Sequence, residues 1–82
     1  MHLTPEILRA AYEYLRATPP YRRWKLPDGE AVGFRVTQHR DRFGQCWPAV
    51  GGSWRIDVSA RLVGTSDTLI RTMAHEMVHI RL

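Results

Sequence analysis

The first apolar residues, Ile7, Leu8, Ala11, Tyr12 and Leu15, recur at steps of three and four, which places them on one face of a helix. Thr4-Pro5-Glu6 supplies an N-cap, a proline at the first helical position and an acidic first turn. A helix from about Pro5 to Ala17 is therefore predicted. Thr18-Pro19-Pro20 ends it, because a proline ring clashes with the preceding turn and has no N–H to donate. Tyr21 to Glu30 mixes Arg22, Arg23, Trp24 and Lys25 with the turn signal Pro27-Asp28-Gly29. That composition makes it a connector, too short to separate two domains.

The period then changes to two. Val32, Phe34 and Val36 alternate with Gly33, Arg35 and Thr37, the pattern of a half-buried strand. Asp41-Arg42-Phe43-Gly44 turns the chain into a short extended piece, Gln45-Cys46-Trp47, and Pro48 to Gly52 is a loose connection. Ser53 to Val58 alternates again, with Trp54, Ile56 and Val58 sharing a face, so Trp54 is expected in the core. These segments predict a small sheet of about three antiparallel strands. Gly64-Thr65-Ser66-Asp67 caps a second helix that runs to the end of the chain. The expected fold is α+β: one zincin-like domain over residues 1–82, with an N-terminal helix, the antiparallel sheet and a C-terminal helix.

At about 100° per residue, Leu69, Ile70, Met73, Ala74, Met77, Val78 and Ile80 occupy one half of the second helix and predict its core face. Thr72, His75, Glu76 and His79 occupy the other half. His75-Glu76-Met77-Val78-His79 spells HExxH, two imidazoles one turn apart with a carboxylate between them. Neutral imidazole nitrogen is a zinc ligand, and zinc lowers the pKa of a bound water to about 7. His75 and His79 are thus the expected metal ligands. Glu76, about 100° around the helix from His75, is the expected catalytic general base.

A catalytic zinc site normally takes three protein ligands and leaves a position for water. The motif supplies two. His39, Asp41, Cys46 and His2 are the conceivable third ligands within the chain, and each has a simpler structural role: a solvated strand-end histidine, for instance, or a small buried cysteine.

Arg42-Phe43-Gly44-Gln45-Cys46, then Trp54 to Leu62, then Thr68 to His79 with its Thr-x-x-His-Glu-x-x-His ending, resembles the SprT-like (Spartan-type) zinc metalloproteases in the same order. The resemblance covers roughly residues 32–82, and its most specific part is HExxH. It implies a small α+β zincin acting on protein substrates, often DNA-bound ones, with His75 and His79 as zinc ligands and Glu76 as catalytic acid/base. It also implies a third ligand, usually another histidine, beyond the active-site helix. The 82 residues are therefore expected to be the N-terminal part of a longer protein, metal-poor and inactive alone.

Charge adds a second theme. Twelve Lys and Arg against eight Asp and Glu give a net charge of +4, with Lys25 the single lysine. Arginine forks suit phosphate, so DNA is a candidate partner beside the protein or peptide substrate. Trp24, Trp47 and Trp54 with Arg22, Arg23, Arg40, Arg42 and Arg55 would be the stacking and phosphate-binding set, although core packing explains the rings more simply. No apolar run approaches membrane-spanning length, and a lone Cys46 forms no intrachain disulfide. The N-terminus does not begin a signal sequence, so a cytoplasmic setting, with nucleoid association as a variant, is expected. Two rival readings remain: an ImmA/IrrE-like peptidase that cleaves a repressor, and a non-catalytic basic DNA-associated module with a vestigial motif.

Overall fold

In the computed structural model, which describes residues 2–81, two helices flank a three-stranded sheet. Helix α1 (Pro5–Arg16) begins where expected: the Thr4 hydroxyl accepts a hydrogen bond from the Ile7 N–H at 3.2 Å, and Pro5 takes the position where a missing N–H costs nothing. It buries Leu8, Ala11, Tyr12 and Leu15 and leaves Ile7 exposed at the margin of the apolar stripe. The connector after it holds two short 3-10 turns, Tyr21–Arg23 and Gly29–Ala31. The Tyr12 hydroxyl donates to the Pro27 carbonyl, and the Gly29 N–H donates to Glu13 Oε1 at 2.7 Å, so the connector is fastened to the helix it follows.

The strands are β1 (Val32–Thr37), β2 (Gly44–Pro48) and β3 (Trp54–Ser59), in the spatial order β1-β3-β2. The antiparallel expectation holds for one ladder and fails for the other. β2 and β3 are antiparallel, with Cys46 opposite Ile56, but β1 and β3 are parallel, with Phe34 opposite Ile56. Alternation along a strand fixes which residues face the core; it says nothing about which strand lies alongside or in which direction. The sheet is mixed because β3, which lies between the other two described strands, runs parallel to β1 and antiparallel to β2.

Helix α2 (Ser66–Arg81) starts at a threonine cap, with Thr65 Oγ1 accepting from the Thr68 N–H at 3.2 Å. Both helices pack on one face of the sheet. Leu8, Tyr12 and Leu15 of α1, Val32, Ile56 and Val58 of the strands, and Leu69, Met73 and Met77 of α2 form one buried cluster. Each such side chain contributes about 1.5–3 kcal/mol of burial, so a core of this size stabilises the fold without much reserve.

The buried face of α2 differs from the half-wheel that hydrophobicity alone predicts. Leu69, Thr72, Met73, Glu76 and Met77 are buried, while Val78 is exposed. The helix is turned so that Thr72 and Glu76 lie against the sheet and His75 and His79 border that face. The cause is Gly44, whose missing side chain lets α2 approach β2: a Cβ there would stand 2.9 Å from Thr72 Cγ2. Trp54 is also displaced from expectation. It lies on the face shared with Ile56 and Val58, yet it is only half-buried, because it lies where α2 leaves an open hollow.

Candidate functional site

The i, i+4 spacing on α2 brings the His75 and His79 rings to 5.1 Å between centroids, nearly perpendicular at 79°. Two imidazoles sharing one tetrahedral zinc through nitrogens at about 2.0–2.1 Å would have ring centres about 5 Å apart. The pair therefore fits one metal ion by separation and by donor chemistry. Both side chains are exposed, so the approach of a cation from water is open.

Glu76 is different. It is only 4 % exposed, and its carboxylate lies over the first residue of β2, with Oε2 3.2 Å from where a Gly44 Cβ would be. Burial pushes its carboxyl above the ordinary range, while His75 and His79 pull it back down. A carboxylate held this way is a better proton acceptor than an exposed one.

Two hollows meet at Gly44, His75 and Glu76. One, of about 410 Å³, lies between α2 and the β2 edge, bordered by Cys46, Trp54 and His79. The other, of about 550 Å³, extends toward the start of α2, bordered by Phe43, Thr68 and Arg71. Together they make a groove along β2 with the HExxH residues at its middle. No strand pairs with the other edge of β2 among the described residues, so its backbone groups there border the groove unpaired by a ladder.

Of the conceivable third ligands, the structure brings only Cys46 into this groove. Its thiol is pushed up to about 11, first by burial and then by the Glu76 and Asp57 carboxylates, so it stays protonated at neutral pH. His39 follows β1, which is separated from β2 by β3, and its carbonyl accepts from Ser59 Oγ at 2.6 Å. Asp41 is paired with Arg42 at 3.0 Å, which holds its carboxyl below the usual range. His2 is exposed ahead of α1 and borders neither hollow. No group of three or more His, Cys, Asp and Glu side chains converges among the described residues.

The tryptophans do not form one stacking surface. Trp24 packs edge-on against Tyr21 at 4.9 Å, with the Arg81 guanidinium over its ring at 4.8 Å. The Trp47 indole donates to Asp57, and Trp47 and Trp54 both border the smaller hollow, away from Trp24. Sequence reasoning missed Asp57 entirely. It is a buried carboxylate that accepts from Arg35 at 2.8 Å, from Arg55 at 3.1 Å and from Trp47 at 3.2 Å. Asp57 has Arg35 and Gln45 as its lateral neighbours on the two flanking strands, a register that alternation does not reveal.

No family model, no curated protein and no solved structure matches this chain. No helix is long and apolar enough to cross a membrane among the described residues. What the side chains do chemically rests on the groove itself.

Proposed function

We propose that the protein is a zinc-dependent metallopeptidase of SprT-like type, with His75 and His79 as metal ligands and Glu76 as the acid/base. The observation that carries this reading is the 5.1 Å perpendicular imidazole pair beside a buried carboxylate, in an open groove along a sheet edge. Zinc, when bound there, would act as a Lewis acid on the substrate carbonyl and acidify water. Glu76, raised by burial, would take a proton from the attacking water and deliver it to the departing amine. The remaining coordination would be completed by ligands other than the described side chains.

The unpaired edge of β2 supports a polypeptide substrate, because an extended chain can hydrogen-bond to such an edge with its own backbone. Antiparallel pairing, the more stable arrangement per residue, would run that chain from the Pro48 end toward the Gly44 end, past Glu76. The net charge of +4 favours substrates in anionic surroundings, such as proteins held on DNA.

Because two histidines by themselves hold zinc weakly, the test is zinc stoichiometry at excess zinc, with hydrolysis of an unfolded protein substrate by a chain in which the remaining ligand is also present. One zinc per chain, lost in His75→Ala, together with cleavage lost in Glu76→Gln while the zinc remains, is the expected result. Cleavage that survives Glu76→Gln, or a protein that takes up no zinc, would sink the reading.

A further inference from the structure

A third hollow, of about 310 Å³, lies between the end of α1 and the connector that follows it, and shares no lining residue with the two at Gly44. Its size is at the small end of the roughly 300–1,000 Å³ usual for ligand pockets. Arg16, Arg22 and Lys25 line it against a single carboxylate, Glu13. That carboxylate is already occupied: Oε1 accepts from the Gly29 N–H at 2.7 Å and from Arg16 Nε at 3.1 Å, and Oε2 accepts from Arg16 Nη2 at 2.8 Å. The same two bonds hold the Arg16 fork in place and use only part of its five N–H donors. Arg22 and Lys25 are exposed and pair with no carboxylate among the described residues. Lys25, the single lysine of the chain, has φ 55°, in the left-handed region that favours glycine. Strain of this kind collects at ligand clamps, where the position of a side chain matters more than the ease of its backbone.

We propose that this hollow binds the phosphoryl group of a small phosphomonoester, with Arg16, Arg22 and Lys25 as its anchors. The inference does not depend on the peptidase reading. Arginine forks match phosphate oxygens two at a time, and a lysine ammonium adds a point charge. A phosphomonoester dianion offers three oxygens to share among the three cations, whereas a carboxylate brings one charge and two oxygens. Like charges gathered around one hollow repel each other, so a dianion gains further by relieving that repulsion. The neighbouring acids favour a compact ligand over a strand of nucleic acid. Glu13 lines the hollow and Asp28 Oδ1 lies 3.7 Å from Arg16 Nη2, so a polyanion carrying its next phosphate along that side would meet both carboxylates.

Amide NMR spectra of the protein, titrated with phenyl phosphate at constant ionic strength, should show saturable shifts at Ala17, Arg22 and Leu26, with Gly44 and His75 unmoved. Inorganic phosphate should compete for the same shifts, and sodium acetate over the same range should not. Lys25→Asn removes the ammonium, and asparagine tolerates left-handed backbone, so the urea midpoint should hold or rise. Binding of phenyl phosphate should nevertheless weaken about fivefold or more in that variant, and likewise in Arg22→Gln. Shifts that do not saturate, acetate that binds as tightly as phenyl phosphate, or unchanged affinity in either variant would overturn the proposal. A thymidine oligonucleotide without a terminal phosphate that displaces phenyl phosphate at lower concentration would overturn it too, by making the three cations part of a nucleic-acid surface.

Discussion

Glu76 Oε2 lies 3.2 Å from the point where a side chain on Gly44 would begin, so the general-base candidate occupies space that only a glycine leaves free. The same point is 2.9 Å from Thr72 Cγ2 and 3.1 Å from the Asp57 carbonyl oxygen. A methyl group there meets backbone on one side and two side chains of α2 on the other. Gly44→Ala should therefore destabilise the fold by about 1–3 kcal/mol, the usual cost of overpacking. Any hydrolytic activity should fall further than the lost stability explains, because Glu76 must move. Urea unfolding alongside single-turnover assays at saturating folded protein would measure both; an alanine variant with full stability and activity would contradict the account.

His75 and His79 should behave in the opposite way. Both are exposed, so His75→Ala is expected to change the stability of the zinc-free protein by no more than about 0.5 kcal/mol. Added zinc should raise the unfolding midpoint of the original chain, since a ligand that binds only the folded state stabilises it, and should do nothing for the variant. Differential scanning fluorimetry with and without zinc is sufficient to show this. A shift of equal size in the two proteins would place the metal elsewhere.

Asp57 is a structural carboxylate rather than a catalytic one. Asp57→Ala would strip Arg35, Arg55 and Trp47 of their common acceptor and should cost about 1–3 kcal/mol. Arg35 remains 55 % exposed in the folded chain, so its loss alone should cost no more than about 1 kcal/mol. Chemical denaturation of the two variants gives the comparison, and a larger loss for Arg35→Ala than for Asp57→Ala would reverse the assignment of roles.

Tyr12 ties stability to alkaline pH. Burial pushes its hydroxyl up to about 12, whereas an unfolded tyrosine ionises near about 10. The folded state thus keeps a proton that the unfolded chain releases between these values. Stability from this group is intact below pH of about 10 and falls as the pH rises toward about 12, by at most roughly 3 kcal/mol. Tyr12→Phe should remove that slope, at a cost near neutral pH of about 1–2 kcal/mol for the unpaired Pro27 carbonyl. Urea midpoints from pH 8 to pH 12 would show the two profiles converging, and parallel profiles would disprove the linkage.

The helices were legible in the sequence because local signals set them: Thr4 and Thr65 cap where capping chemistry places them, and proline ends α1. The three strands were legible as segments, and their inward residues as a face. Their order was not, since the parallel pairing of Val32 with Trp54 is a contact across 22 positions with no local trace. The same limit explains the candidate site. The i, i+4 pair His75 and His79 is fixed by one helix, so its geometry followed from spacing alone. The burial of Glu76 depends on how closely β2 approaches that helix, and the wall formed by Phe43 depends on where the Asp41-Arg42-Phe43 turn comes to rest. Hydropathy placed Val78 inside and Glu76 outside; the structure reverses both, and Gly44 on β2 leaves the room that Glu76 takes.

The placement of β3 between its two predecessors has a consequence during synthesis. A ribosome that has delivered the chain only as far as Ser53 has released two strands with no ladder between them, because each pairs only with residues still to come. The groove and its glutamate are assembled afterwards by a helix that follows β3 in the chain. Until then Val32, Phe34, Cys46 and Trp47 have no strand to pair with, and the nascent chain carries its most adhesive segments unprotected.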